Sequence, residues 1–424
     1  MTYLYVIQVP VARDGDRTFM GRTAALDLLA HRRLLPAEVT LRLAAPVLPL
    51  SDGRLQGEPV EELTDIELVP LAYANGLRDG LKVLRGNRQR LNEAAVCADF
   101  VHTSCGGFPF FLSPCYLAHR IARRRGIPLL FVMDCDLVGK LETDQIALAP
   151  NRIKKIIWQA FARLSWHLYT DCLRSASATF LLGRGVVSRY GPYAHNPLEI
   201  YQPIVGLESL IAAPALEAKC ATLRDGAPPR LCFAGRLAPE KGLQVFLAAL
   251  SLLKAAGLSP QTDIYGDGPS RSDLEAQAHS LNLDGQVTFR GHREWGEELF
   301  SDLRDHHLQV VPHLTLEMTR NVFDGMASGC ALIVSDTEAL RQLIADSKAG
   351  VCFATGEAAS LAEHLRPLLE QPELLANYIE HGFAFVQDNH RDAHIVRRLA
   401  FLRDKIGLFA KLPESSWPTT GTPP

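Results

Sequence analysis

Short apolar runs of strand length alternate with helix-length segments along most of this chain, and no other feature constrains its fold as tightly. In the first half the runs are YLYVIQV (3–9), VTLRL (39–43), IELVPL (66–71), FVHTS (100–104), PLLFVMD (128–134), ATFLLG (178–183) and LEIYQP (198–203). Segments such as GRTAALDLLAHRRLL (21–35) and YLAHRIARRRG (116–126) separate them. Strands spaced by helices favour a parallel, doubly wound sheet. The pattern loosens over residues 206–229, which run into RDGAPPR, and then restarts. The second set is RLCFAGRL (230–237), TDIYGDG (262–268), QVTFRG (286–291), LQVVPHL (308–314), CALIVSD (330–336) and GVCFA (350–354). Leu243, Phe246, Leu250 and Leu253 form one apolar stripe on a helix over 243–255, fit to lie on a sheet. The expectation is an N-terminal domain over 1–205, a linker over 206–229 and a second α/β domain over 230–385. A helix over 386–411 is expected to pack back on the first domain, and the Pro/Ser/Thr-rich tail 412–424 to be disordered.

A chain of 424 residues exceeds one ordinary core, in keeping with two domains. A formal charge of −3 supplies no long-range attraction for nucleic acid. None of the nine cysteines has CxxC spacing and most lie in apolar runs, which reads as buried thiols, not a disulfide frame or a zinc site. The N-terminus, MTYLYVIQVP, lacks a basic leader and reads as a first strand. With no apolar stretch long enough to span a bilayer, a cytoplasmic protein is expected.

Ligands of open α/β sheets bind past the carboxyl ends of the strands. The candidate motifs lie there. AGRLAPEKGL (234–243) follows a strand, and Gly235 lets the backbone turn while Arg236 and Lys241 bring a guanidinium fork and an ammonium to the strand end. Such a pair suits a diphosphate, although a solvated mixed-charge loop has the same composition. YGDGP (265–269) is a tight turn with or without a ligand. In VPHLTLEMTRNVFDGMASG (311–329), Asp324 lies in a short helix whose first turn is polar. There an acid can accept hydrogen bonds from a diol such as a ribose, or simply face water.

The order and spacing of these motifs resemble the retaining, nucleotide-sugar-dependent glycosyltransferases of family four, over roughly 230–385. The resemblance implies the α/β GT-B fold, two Rossmann-like parallel-sheet domains facing across a cleft. It implies that Arg236 and Lys241 grip the donor diphosphate and that Asp324 stands for the second acid of the E-x7-E motif, at the ribose. Gly235, Gly266, Arg290, Gly291, His292, Thr319, Arg320, Asn321 and Val322 fall on donor-side positions. On the acceptor side the resemblance is architectural. Gly15, in GDRTFMGRT (15–23), falls in a glycine-bearing loop after the first strand. His102 falls where an acceptor-side histidine stands, with a buried core histidine as the bland alternative. Asp134 is either a polar group at the acceptor or a cap.

The chain departs from the family at the first acid. Leu316 takes that place and Glu317 stands one residue on, where glycine is usual. VSDTEALRQLI (334–344) also lacks the family's glycine pair. Glu317 is therefore a candidate for the missing acid, and Leu316 hints at a donor lacking a hydroxyl there, as in a deoxysugar. The reading is transfer from a nucleotide diphosphate sugar to an acceptor hydroxyl, with retention and without metal or a resident cofactor. The acceptor is a sugar, a lipid-linked compound or a small molecule. The alternative is a nucleotide-sugar-binding or scaffold subunit with reduced catalysis. NRIKKIIWQAFARLSWHLY (151–169) is amphipathic and basic, a pattern shared by helices that touch anionic lipid and by core-facing helices, and a core-facing helix is the expectation.

Overall fold

The computed structural model describes residues 1–52, 60–107, 109–147, 149–315, 318–410 and 412. The expectations for Leu316, Glu317 and the tail beyond 412 lie outside them. The chain forms two compact units, Met1–Gln202 with Asp392–Pro424, and Pro203–Arg391.

Among the described residues the first unit is built on ten strands: β1 (Thr2–Val6), β2 (Val11–Asp14), β3 (Arg17–Gly21), β4 (Thr40–Pro49), β5 (Val60–Glu62), β6 (Glu67–Ala72), β7 (Phe100–Ser104), β8 (Leu129–Met133), β9 (Ala178–Leu182) and β10 (Pro197–Ile200). Their order is β10-β9-β8-β7-β1-β4-β2-β3-β5, with β6 also on β4. Successive residues of a strand face opposite sides of the sheet, so the central strands feed two cores. Leu4, Val101 and Phe131 enter one core with Tyr169 and Tyr190. Tyr3, Phe100 and Leu130 enter the other with Leu28, Ile395, Leu399 and Leu402. The last three come from the helix Arg391–Ile406.

The sheet is parallel except at one edge, where β3 runs antiparallel to β2 and β5. Asp14 pairs with Arg17, which leaves Gly15 and Asp16 as a two-residue hairpin turn. The segment expected as an open glycine loop is therefore a hairpin. The helix Arg152–Ser175 meets the expectation of a core-facing helix only in part, since Ala162, Tyr169, Cys172 and Leu173 join the core. Its first turns present Ile153, Ile156 and Ile157 to solvent, at 72%, 64% and 58% exposure, beside the exposed Arg152, Lys154 and Lys155.

Among the described residues the second unit has six strands, all parallel, in the order β13-β12-β11-β14-β15-β16. They are β11 (Leu231–Ala234), β12 (Thr262–Tyr265), β13 (Val287–Gly291), β14 (Leu308–Val311), β15 (Ala331–Ser335) and β16 (Gly350–Phe353). β11, β12, β14 and β15 are buried throughout, as a parallel sheet covered on both faces requires. The helix Leu243–Ala255 buries Leu243, Phe246, Leu250 and Leu253, the stripe read from the sequence. Residues 206–229 are not simply a connection. They contain the helix Ala213–Arg224, whose Leu216, Cys220 and Leu223 join the core of this unit. Each buried leucine there contributes roughly 1.5–3 kcal/mol.

Candidate active site

In the second unit the loops after β11, β12 and β14 are locked together by backbone. Gly235 N donates to Tyr265 O at 2.9 Å, Leu237 N to Asp267 O at 2.9 Å and Ser270 N to Leu237 O at 3.0 Å. Gly266, at φ +137°, lies so close to the β11 loop that a Cβ there would stand 1.9 Å from Gly235 O. Gly242, at φ +70°, lies equally close to the β14 loop, 1.8 Å from its Cβ position to Pro312 O. No side chain larger than hydrogen fits either place. A bond from Leu314 N to Glu240 O, 2.9 Å, completes the second contact.

Asn321 joins the third loop to the first. Its Nδ2 donates to Ala234 O at 2.7 Å, and its Oδ1 accepts from Thr319 Oγ1 at 2.7 Å. The amide thus brings Thr319, Asn321 and the start of the helix Asn321–Ala327 to the carboxyl end of β11, beside Gly235. Arg236 projects from this junction, exposed, and makes no hydrogen bond or ion pair among the described residues. Lys241 is half-buried, and its charge acts on His313. Burial first, and then that charge, push the His313 imidazole down to about 3, so it is neutral at physiological pH. His313 is 2% exposed and its Nε2 has no partner among the described residues. Arg320 is exposed and Val322 is buried.

Asp324 is 7% exposed. Burial raises its carboxyl to about 7, against the opposing influence of the Trp295 hydrogen bond and the Arg320 charge. Trp295 Nε1 donates to Oδ1 at 3.2 Å. Sequence reasoning had passed over Trp295 and His313. The available signal was their position just past β13 and β14, in HREWGEE and VPHL.

The β13 loop divides in role. Gly291 O accepts from Gly266 N at 2.7 Å and so belongs to the locked loops, while His292 is exposed. Arg290 instead turns to Asp263 on β12, Nε to Oδ1 at 2.8 Å. Arg230 at 3.0 Å and His306 at 2.9 Å share that carboxylate. Burial opposes ionisation of Asp263, but hydrogen bonds from His306 and Arg290 outweigh it and hold the carboxyl below its ordinary range. The Arg290 side chain is thus tied through its Nε to an ion-pair network.

In the first unit the acceptor-side candidates separate. Gly15 is the exposed tip of the β2–β3 hairpin. His102 is a core residue. It is 6% exposed, its Nδ1 lies 2.9 Å from Tyr3 Oη, and its ring stacks on Tyr5 at 3.9 Å. Burial, with the nearby His31 and Arg398, pushes the imidazole well down, so it stays neutral. Asp134 follows β8 and accepts from Cys105 Sγ at 3.0 Å. The capping role falls to Asp136, which accepts from Gly139 N at 2.8 Å.

Residues 217–385 match the family described as Glycosyl transferases group 1. Over 333 residues the chain is 28% identical to an alpha-D-kanosaminyltransferase of Streptomyces kanamyceticus, covering 77% of this chain and 82% of that one. A phosphatidyl-myo-inositol mannosyltransferase of Mycolicibacterium smegmatis is 34% identical over 164 residues, 38% of this chain and 42% of its own. Among solved structures, sucrose-phosphate synthase from Thermosynechococcus elongatus superposes with a TM-score of 0.68 at 15% identity, over 97% of this chain and 99% of that one. HepE of Anabaena in complex with UDP gives a TM-score of 0.63 at 14% identity, over 97% and 100%. The chain is an enzyme of the group 1 glycosyltransferase type, built on the GT-B fold.

Proposed function

We propose that the enzyme transfers a hexose or deoxyhexose from a nucleotide diphosphate sugar to an acceptor hydroxyl, with retention of configuration and with no divalent cation at the diphosphate. One observation carries the donor reading. The exposed Arg236 guanidinium, unpaired among the described residues, stands on a loop that Gly266 and Asn321 clamp at the carboxyl end of β11, with Lys241 on the same loop. Fixed cations at a departing diphosphate stabilise the charge that builds as the glycosidic bond breaks, and held in place beforehand they need no reorganisation at that moment. Two side-chain cations meet the charge requirement without a metal, which supports that part of the reading. Retention rests on the family resemblance. The kanosaminyl- and glucosyltransferase names of two relatives support a hexose-type donor.

Asp324 is assigned to the ribose hydroxyls and Thr319 to Val322 to the donor phosphates. Arg236→Ala and Lys241→Ala are each expected to lower turnover of the donor by about 10²–10³-fold, the usual cost of removing one preorganised electrostatic group. Circular dichroism should remain that of the parent. Full turnover by both folded variants contradicts the diphosphate assignment. Proton NMR of the anomeric centre in the product tests retention, and an inverted centre contradicts it.

For partners, the exposed isoleucines of the helix Arg152–Ser175, set among Arg152, Lys154 and Lys155, favour peripheral contact with an anionic lipid surface. Among the described residues no helix is long and apolar enough to cross a membrane.

A further inference from the structure

We propose that the N-terminal unit binds a thiophilic divalent cation of the zinc type through Cys105 Sγ, Cys135 Sγ and a carboxylate oxygen of Asp134. The spacing of the cysteines hides this cluster, since Cys105 and Cys135 lie far apart in the sequence with no CxxC pair between them. Sheet topology brings them together. β7 and β8 are adjacent and parallel, with Ser104 opposite Val132, so the residues just past both strands emerge side by side. Cys105 N donates to Val132 O at 2.9 Å, which extends the ladder by one residue and fixes the first thiol.

Cys105 Sγ lies 3.0 Å from Asp134 Oδ1 and 3.6 Å from Cys135 Sγ. All three ligand atoms lie within 4.8 Å of one another. Two thiolates bound tetrahedrally to zinc, with Zn–S bonds of ~2.3 Å, sit about 3.8 Å apart. The sulfurs are therefore close to coordination spacing as they stand, whereas a disulfide would need them at about 2.05 Å. Two soft sulfur donors with one carboxylate favour zinc over magnesium or calcium, which take oxygen ligands.

The surroundings fit a built site. Cys105 is fully buried, while Asp134 and Cys135 are half-buried, so an ion has a route in and a fourth position for water or another ligand. Both ligand loops are pinned from outside. Tyr169 Oη donates to Cys105 O at 3.2 Å, and Tyr190 Oη donates to Asp136 Oδ1 at 2.6 Å, one residue beyond Cys135. Binding replaces the Cys105 S–H···Oδ1 hydrogen bond with bonds from both atoms to the cation. The two thiol protons pass to solvent. This inference does not depend on the donor reading, which concerns the other unit.

The test is titration of the chelator-treated full-length protein with Co²⁺. One equivalent is expected to produce thiolate-to-cobalt charge transfer in the near ultraviolet and the visible bands of tetrahedral cobalt, both removed by Zn²⁺. Cys135→Ser and Asp134→Asn change half-buried residues and spare the core. The first should abolish the two-thiolate band and the second should weaken binding. Cys97→Ser, at an exposed cysteine elsewhere, should change neither. Three results overturn the proposal: no band in the parent, a band that persists in Cys135→Ser, or intact-mass loss of two hydrogens after peroxide in protein that takes up no metal. The last would show a redox pair instead of a cation site.

Discussion

At the residue scale Asp324 makes the sharpest demand. Burial holds its carboxyl up at about 7, far above the ordinary carboxylate range. Between about pH 4 and 7 the folded protein keeps a proton that the unfolded chain has lost, so stability falls as pH rises through that window. The loss is bounded by about 4 kcal/mol for a shift of this size. Asp324→Asn stays neutral throughout. Its melting temperature should therefore gain on the parent between pH 5 and pH 8, and parallel profiles would contradict the buried, protonated acid. A ribose diol donating to this group requires the carboxylate, so nucleotide affinity in the parent should strengthen as pH rises past 7. Asn321→Ala removes two hydrogen bonds of 2.7 Å and frees the third loop from β11. Each is worth about 1 kcal/mol, so a loss of nucleotide affinity of up to roughly thirtyfold is expected by calorimetry. The placement of Arg236 and Lys241 past β11, and of Asp324 in a short helix past β14, was legible in the sequence because these motifs follow apolar strand runs. The Trp295–Asp324 bond and the Cys105–Asp134–Cys135 cluster were not, because each joins residues of separate loops that only sheet pairing brings together.

At the scale of elements, apolar periodicity was a good guide wherever the apolar face meets a sheet. The strand Phe100–Ser104 and the helix Leu243–Ala255 stand at the limits read from the sequence. The helix Ala213–Arg224 was missed although Leu216, Cys220 and Leu223 keep a helical spacing, because Pro214 and the following RDGAPPR suggest a loop. Pro214 in fact occupies the first turn, where a missing N–H costs nothing. The β2–β3 hairpin was missed because four- and five-residue strands with charged ends carry little alternation. The first turns of the helix Arg152–Ser175 show the reverse failure, since Ile153, Ile156 and Ile157 stay exposed while Ala162, Tyr169, Cys172 and Leu173 further along join the core. Ile153→Asp with Ile156→Asp should abolish sedimentation with anionic phospholipid vesicles while leaving the melting temperature nearly unchanged, since both side chains are solvated. Equal sedimentation of parent and variant would contradict a lipid-facing role for this face.

At the scale of the whole molecule, each unit gathers its polar chemistry past the carboxyl ends of parallel strands, but the two collections differ in kind. In the second unit, glycines with no room for a side chain bring three loops together and leave cations exposed. In the first unit, two thiols converge on Asp134, a candidate the sequence had named, while Gly15 and His102 stand apart from it. The central claim is that the second unit's locked loops bind a diphosphate through Arg236 and Lys241. Calorimetric titration of the parent and of Arg236→Ala with the diphosphate and the monophosphate of one nucleoside tests it most directly. The parent should bind the diphosphate at least about tenfold more tightly, a difference of ~1.4 kcal/mol, and the variant should lose most of that preference. Equal affinities for the two nucleotides in the parent, or a preference that survives in Arg236→Ala and in Lys241→Ala, would contradict it.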